Sequence, residues 1–178
     1  YLSKISIKDF RMFSDVVEVS FSKGLNLLVG ENGSGKSSVV DAIRALLGEN
    51  EFSRRGIIEE DFYSVFCESQ KKSSESLFIS GVFSNLTEAQ KVEYLSWLDE
   101  DFNAKLSFEV QRTLNRRNNY KQKRWGGNSS NSFFDIEPLN DIQCVYLPAL
   151  RDAERSLRTG RGSRLARFIA NLSADDLK

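Results

Sequence analysis

Hydrophobic and polar positions alternate from the first residues. Ile5 and Ile7 fall on one face of residues 2–10, and Val17, Val19 and Phe21 alternate in the next segment. A period of two predicts two half-buried strands, with residues 10–15 as the turn between them. Lys23-Gly24 reads as a second turn, and Leu25-Asn26-Leu27-Leu28-Val29 as a short apolar strand. The period then lengthens: Val39, Val40, Ile43, Leu46 and Leu47 recur at helical spacing up to Gly48, a good C-cap. Residues 49–63 lack clean periodicity and predict irregular chain with one helical turn, and 71–76 predict a polar loop. Residues 77–83 predict a strand. Thr87-Glu88-Ala89-Gln90 is a capping-box pattern, opening a helix to about residue 97 with Val92, Leu95 and Leu98 on its inner face. Leu106, Phe108 and Val110 predict a strand continuing to 114. Residues 142–147 read as a buried strand closed by Pro148, and Ser163 caps a last helix carrying Leu165, Phe168, Ile169 and Leu172.

Between the apolar run at 25–29 and the helical pattern after it lies GENGSGKSS, residues 30–38. Gly30, Gly35, Lys36 and Ser37 occupy the four fixed positions of G-x-x-x-x-G-K-[ST]. Glycines at 30, 33 and 35 admit backbone conformations closed to other residues, so consecutive N–H groups can turn inward. With the first turn of the following helix those groups make a nest for a polyphosphate. Lys36 reaches the β/γ-phosphates and is the candidate catalytic residue, while the Ser37 hydroxyl can ligate Mg²⁺. The nucleotide-binding set is therefore Gly30, Glu31, Asn32, Gly33, Ser34, Gly35, Lys36, Ser37 and Ser38. Strand before and helix after are what this loop requires, so the chain is expected to bind a nucleoside triphosphate.

Composition narrows the rest. With 25 basic and 25 acidic residues the formal net charge is zero, so contact with nucleic acid or an anionic membrane has to come from local patches. The chain has no histidine, and Cys67 and Cys144 are too few for a disulfide framework or a zinc site, which fits a reducing, cytoplasmic setting. No apolar run approaches the ~20 residues of a membrane span. Asp99-Glu100-Asp101 reads as solvated loop charge rather than a metal site. Arg112, Arg116, Arg117, Lys121, Lys123 and Arg124 form a basic stretch without acids near Tyr120 and Trp125. Such a hairpin suits either a grip on a nucleic-acid backbone or an edge protected from pairing by its charges. Arginines at 151, 155, 158, 161, 164 and 167 surround a Gly160-x-Gly162 turn, where anion contact and plain solubility are both open.

Several stretches together resemble a known family. IKDFRMF, followed by a strand and LNLLVGENGSGKSSVVDAIRALLG, is similar to the amino-terminal lobe of the ABC/SMC-like ATPases, among them RecF, SMC proteins and the OLD (overcoming lysogenization defect) family. EEDFYSVF and LFISGVFSNLTEAQKVEYLSWL resemble the OLD-type insert, and VYLPALRDAERSLRTGRGSRLARFI is similar to the tract closing the first half of OLD ATPase domains. The resemblance implies ATP and Mg²⁺ as cofactors and a parent enzyme that is an ATPase joined to a Toprim nuclease: an ATP-dependent DNA endonuclease, in several cases acting in phage defence. It implies a homodimer or higher oligomer through the ATPase domains, and DNA as partner. It places the Walker B acids, signature motif and nuclease carboxylates outside this chain. Gln143 is then a candidate Q-loop metal contact, and Arg11 a candidate nucleotide or DNA contact or an ordinary turn residue. The alternatives are an SMC/RecF-like DNA-repair ATPase without nuclease, and a defence ATPase acting with a separate nuclease subunit.

The expected fold is thus an α/β P-loop NTPase lobe with an antiparallel β-subdomain, reading as a fragment of a longer chain. Residues 1–178 form the amino-terminal part of an ABC-type ATPase domain, with a P-loop core at about 1–63 and 140–178 and a strand–helix–strand insert at about 77–134. Strands at about 25–29 and 142–147 are expected in the main sheet, with the P-loop helix packed across it.

Overall fold

A computed structural model describes residues 1–48, 56–67, 70–114, 119–131, 137–142 and 144–146. Its frame is a five-stranded antiparallel sheet in the order β2-β1-β5-β6-β7. The strands are β1 (Leu2–Lys8), β2 (Val17–Ser20), β5 (Ser76–Phe83), β6 (Ala104–Leu114) and β7 (Tyr120–Gly126). A separate hairpin pairs β3 (Ser64–Cys67) with β4 (Gln70–Ser73). Residues opposite one another on antiparallel strands point to the same side, so the register decides the inner face. Ile5 lies opposite Val19 and Gly81, Ile7 opposite Val17 and Ile79, and Leu106, Phe108 and Val110 opposite Gly81, Ile79 and Leu77. Ile5, Ile7, Leu77, Ile79, Leu106, Phe108 and Val110 are all fully buried. One face of the sheet is therefore a continuous apolar surface.

Helix α1 (Lys36–Leu47) covers that face, packing on β5, β1 and β6 and burying Val39, Ala42, Leu46 and Leu47. Its close approach depends on Gly81, where a Cβ would meet Leu46 Cδ2 at 2.6 Å and Leu2 Cδ1 at 3.0 Å. Gly48 ends the helix with φ 69° and donates its N–H to the Arg44 carbonyl at 3.1 Å, the C-cap expected from the sequence. Helix α2 (Glu88–Glu93) starts at the expected capping box: Thr87 Oγ1 accepts from the Gln90 N–H at 3.3 Å and Gln90 Oε1 from the Thr87 N–H at 3.0 Å.

Several sequence expectations change. Residues 25–29 pair with no described strand, and Leu25, Leu27 and Val29 are 87%, 77% and 90% exposed. An apolar extended run becomes a strand only when a neighbour supplies backbone partners, and none of the described segments does so. Ile142 and Cys144–Tyr146 are likewise outside any strand; Ile142 and Cys144 pack against the core instead. The expected polar loop at 71–76 is partly β4. Helix α2 also stops early, giving way to a 3-10 turn at Leu95–Trp97. Its inward side chains are Tyr94 and Trp97, while Val92 and Leu95 face solvent. The larger aromatics take the interior because Gly126 leaves the Trp97 indole a place to lie. The expected core and insert also share one sheet, since β5 pairs directly with β1. The tract at 147–178, with its arginines and its expected last helix, lies outside the described residues. Among the described residues no helix is long and apolar enough to cross a membrane.

The Gly126–Trp97 contact yields a direct test. A Cβ at Gly126 would overlap Trp97 Cδ1, well inside van der Waals contact distance. Gly126→Ala is therefore expected to lower unfolding free energy by about 1–3 kcal/mol through overpacking, read by urea denaturation with Trp fluorescence. An unchanged midpoint would mean that the indole moves aside freely.

Candidate nucleotide-binding site

The loop at 30–35 enters α1 at its N-terminus. Gly33 and Gly35 hold φ values of 82° and 92°, in the left-handed region that favours glycine. Gly35 occupies the N-cap position, so α1 has no side-chain cap, and no acidic residue sits in its first turn. Those first-turn N–H donors point at open loop, the arrangement that receives an anion. Lys36 Nζ folds back to donate to the carbonyls of Gly30 at 2.8 Å and Glu31 at 2.6 Å and to Ser34 Oγ at 3.3 Å. The ammonium is thus held at the mouth of the loop, bonded to neutral acceptors that a phosphate can replace. Ser37 is exposed at the start of α1, where its hydroxyl can reach a metal riding on the phosphates. Gly30 also has a steric role, since a Cβ there would lie 2.7 Å from Ser34 Oγ. The residues present fit a nucleoside triphosphate with its cation.

The β1–β2 turn lies against this loop. Phe10 and Phe13 exchange backbone hydrogen bonds at 3.0 and 2.9 Å, and Arg11 between them has φ 52° and donates its N–H to the Asp61 carbonyl at 2.8 Å. The Arg11 guanidinium bonds Asp61 Oδ1 through Nε at 3.0 Å and Asp41 of α1 through Nη1. Arg44 closes the network, donating to Asp41 Oδ1 at 2.8 Å and lying 3.8 Å over the Tyr146 ring. Sequence reading had Arg11 as a candidate nucleotide or DNA contact; in this state it is committed to two carboxylates. Asp41 and Asp61 were missed, because partners 30 and 50 residues away leave no local signal.

The basic hairpin divides. Arg112 pairs with Glu59, Nη2 to Oε1 at 2.7 Å, and Tyr120 Oη donates to Glu59 Oε2 at 2.8 Å. For Arg112 and Tyr120 alike, its own hydrogen bond to the Glu59 carboxylate is the leading reason why the group holds its proton above the ordinary range. Arg124 turns inward, donating to the Ala45 carbonyl at the end of α1 at 2.9 Å and lying 3.9 Å over the Phe108 ring. Lys121 and Lys123 remain exposed on β7, the edge strand. Arg116, Arg117 and Gln143 lie outside the described residues. Asp99 uses its carboxylate within its own turn, where Oδ1 accepts from the N–H groups of Asp101 and Asn103.

Known proteins resemble this chain in sequence and in fold. A family model described as an AAA ATPase domain matches residues 1–143. The chromosome partition protein Smc of Chlorobaculum tepidum is 55% identical over 49 residues, 28% of this chain and 4% of that protein. The DNA double-strand break repair Rad50 ATPase of Thermococcus kodakarensis is 52% identical over 42 residues, 24% of this chain and 5% of that protein. The DNA repair protein RecN of Bacillus subtilis is 40% identical over 68 residues, 36% and 12% respectively. The matched stretches are thus a small part of each relative's length. Among solved structures, one from work on ATP-driven dimerization and DNA stimulated activation of SMC ATPases superposes with a TM-score of 0.53 at 20% identity, covering 100% of this chain and 99% of that one. The SmcHead bound to the C-winged helix domain of ScpA gives 0.51 at 22% identity, covering 79% and 39%. At these identities the two likenesses show a shared α/β fold.

Two substitutions separate the roles of the two basic residues at the site. Lys36→Ala is expected to abolish ATP binding in calorimetry while leaving the melting temperature of the free chain in place; undiminished affinity would remove the assignment. Arg11→Ala is expected to destabilise the nucleotide-free chain by about 1–3 kcal/mol, because two mostly buried carboxylates lose a shared cation and Asp41 is left with Arg44 alone of the two arginines. An unaltered denaturation curve would deny Arg11 that structural role.

Proposed function

The chain belongs to the AAA ATPase domain family over residues 1–143, and from that premise we propose that it binds ATP·Mg²⁺ on residues 30–38 and serves a longer, DNA-processing enzyme as its nucleotide-driven part. The observation that carries the proposal is the Lys36 ammonium, held on the Gly30 and Glu31 carbonyls beside the uncapped start of α1. Lys36 binds the β/γ-phosphates, the first-turn N–H groups receive the phosphate oxygens, and Ser37 orients the cation. Bound Mg²⁺ neutralises the charge that develops during phosphoryl transfer. Activation of water and closure over the γ-phosphate need groups that residues 30–38 do not contain; the family resemblance puts the Walker B acids and signature motif outside these 178 residues, and on that ground we expect the 178 residues by themselves to bind nucleotide with little hydrolysis.

In the longer protein we assign this motor to an OLD-type ATP-dependent endonuclease, as a homodimer or higher oligomer in the cytoplasm with a role in phage defence. The support is the resemblance of VYLPALRDAERSLRTGRGSRLARFI to the tract that closes the first half of OLD ATPase domains. DNA contact falls to Lys121 and Lys123, the hairpin lysines left exposed. A second reading is an SMC/RecF-like repair ATPase with no nuclease, or with one on a separate subunit. Its support is the local identity to Smc, Rad50 and RecN proteins.

One assay separates the readings. Supercoiled plasmid is incubated with the full-length parent and Mg²⁺ or Mn²⁺, with and without ATP, beside Lys36→Ala. Metal-dependent nicking that responds to nucleotide, with the response lost in Lys36→Ala, is expected. ATP hydrolysis without cleavage would overturn the endonuclease assignment in favour of the repair ATPase.

A further inference from the structure

Val92 and Leu95, on α2 and the turn after it, are 76% and 69% exposed, and Phe102 beyond them is 63% exposed. Phe102 is held out at a backbone cost. Its φ is 58°, in the left-handed region that a bulky side chain rarely occupies. The turn around it is well bonded. Asp99 gives its N–H to the Asn103 carbonyl at 2.9 Å, Phe102 gives its own to the Asp99 carbonyl at 3.1 Å, and Asp99 Oδ1 accepts from Asp101 and Asn103. A strained conformation persists where its surroundings over-determine it, and here it presents a ring to solvent. Lys91 links α2 to that ring, its Nζ 5.7 Å from the centroid. Val92, Leu95, the Lys91 stem and Phe102 thus outline one apolar patch, with Tyr94 and Trp97 turned inward behind it.

The patch is ringed by acid. Residues 86–103 carry Glu88, Glu93, Asp99, Glu100 and Asp101 against Lys91, a net charge of −4. Lys91 is taken by Glu88 at 2.7 Å, and among the described residues Glu93, Glu100 and Asp101 have no cation partner. Asp141, ending α3 (Glu137–Asp141), adds to them: after burial, its carboxyl is what holds the Glu93 proton above the ordinary carboxylate range. The matching charge lies in the same chain. Residues 151–172 carry six arginines against Asp152 and Glu154, a net +4, in a protein of zero net charge. They also bring Leu165, Phe168, Ile169 and Leu172 at helical spacing. The last described residue, Tyr146, is five residues past Asp141. The 16 residues of 147–162 reach up to roughly 50 Å, enough to cross a domain of this size.

We propose that residues 163–172 dock on this patch, seating Leu165, Phe168 and Ile169 against Val92, Leu95 and Phe102, with Arg164 and Arg167 over the acidic rim. A second copy meeting the patch with its own would set two acidic rims against each other, whereas this segment brings the opposite charge. The patch shares no residue with the loop at 30–38, so the docking stands whether or not that loop binds nucleotide.

The test uses the 178-residue chain. With Cys67 and Cys144 replaced by alanine, Ala170→Cys is the single attachment point for a nitroxide. Docking sets the spin label beside the patch, so the methyl signals of Val92 and Leu95 should be lost to broadening. Those of Val17 and Val19, on the far edge strand β2, should remain. Leu95→Lys/Phe102→Asn, at two exposed positions, should bring the Val92 signals back; asparagine suits the left-handed conformation. In the chain with its native cysteines, Phe102→Asn should shift the Ile169 methyl resonances through loss of ring current. Val92 signals that survive the nitroxide, or stay lost in the double variant, would overturn the proposal, as would Ile169 resonances that Phe102→Asn leaves in place. Mixing nitroxide-bearing chains with ¹³C-methyl chains that lack the label should leave Val92 and Leu95 intact. Loss in that mixture would give the patch to a second copy and overturn docking within the chain.

Discussion

Helix α1 is held to the β1–β2 turn by one guanidinium shared between two carboxylates. Arg11 reaches Asp41 on the helix and Asp61 on the 3-10 turn Glu59–Asp61, and Asp41 in turn holds Arg44. All four side chains are mostly shielded from solvent. Removing one member of such a network leaves a poorly solvated charge, so the members are retained or lost together. The network also fixes a left-handed residue in a short turn, a conformation that Arg11 holds with its own N–H bonded to Asp61. Because Met12, Phe13 and Gly35 meet at the same place, the stability of the turn and the shape of the phosphate nest are one problem.

What could be read from the sequence was what is encoded within a few residues. The G-x-x-x-x-G-K-S loop, the helix ending at Gly48, the Thr87–Gln90 capping box and the alternation in β1, β5 and β6 all carry their cause locally. Contacts across tens of residues were not readable. Val92 and Leu95 have helical spacing, yet the interior goes to Tyr94 and Trp97 because a glycine on β7 leaves room for an indole. The run at 25–29 has strand composition but no described partner. Composition proposes a strand and pairing decides it.

The basic hairpin shows why a count of cations overstates a binding surface. Arg112 is used against Glu59, and Arg124 is used at the end of α1. Both connect the sheet to neighbouring elements, and arginine suits that work because its planar group bonds and stacks at once. Lys121 and Lys123 are exposed on β7 beside Gln122, where a compact hydrated charge also discourages strand addition at an open edge.

The two ends of α1 are treated differently. At its C-terminal end Arg124 bonds the Ala45 carbonyl and Arg44 lies in the last turn, so the negative pole of the helix is compensated by cations. At its N-terminal end no side chain caps the first turn and no acid lies in it. The helix therefore acts as a half-neutralised dipole whose remaining field is positive and confined to the loop mouth. In a chain of zero net charge, long-range attraction is absent, and affinity for a polyanion is concentrated in the few ångströms around that one pole.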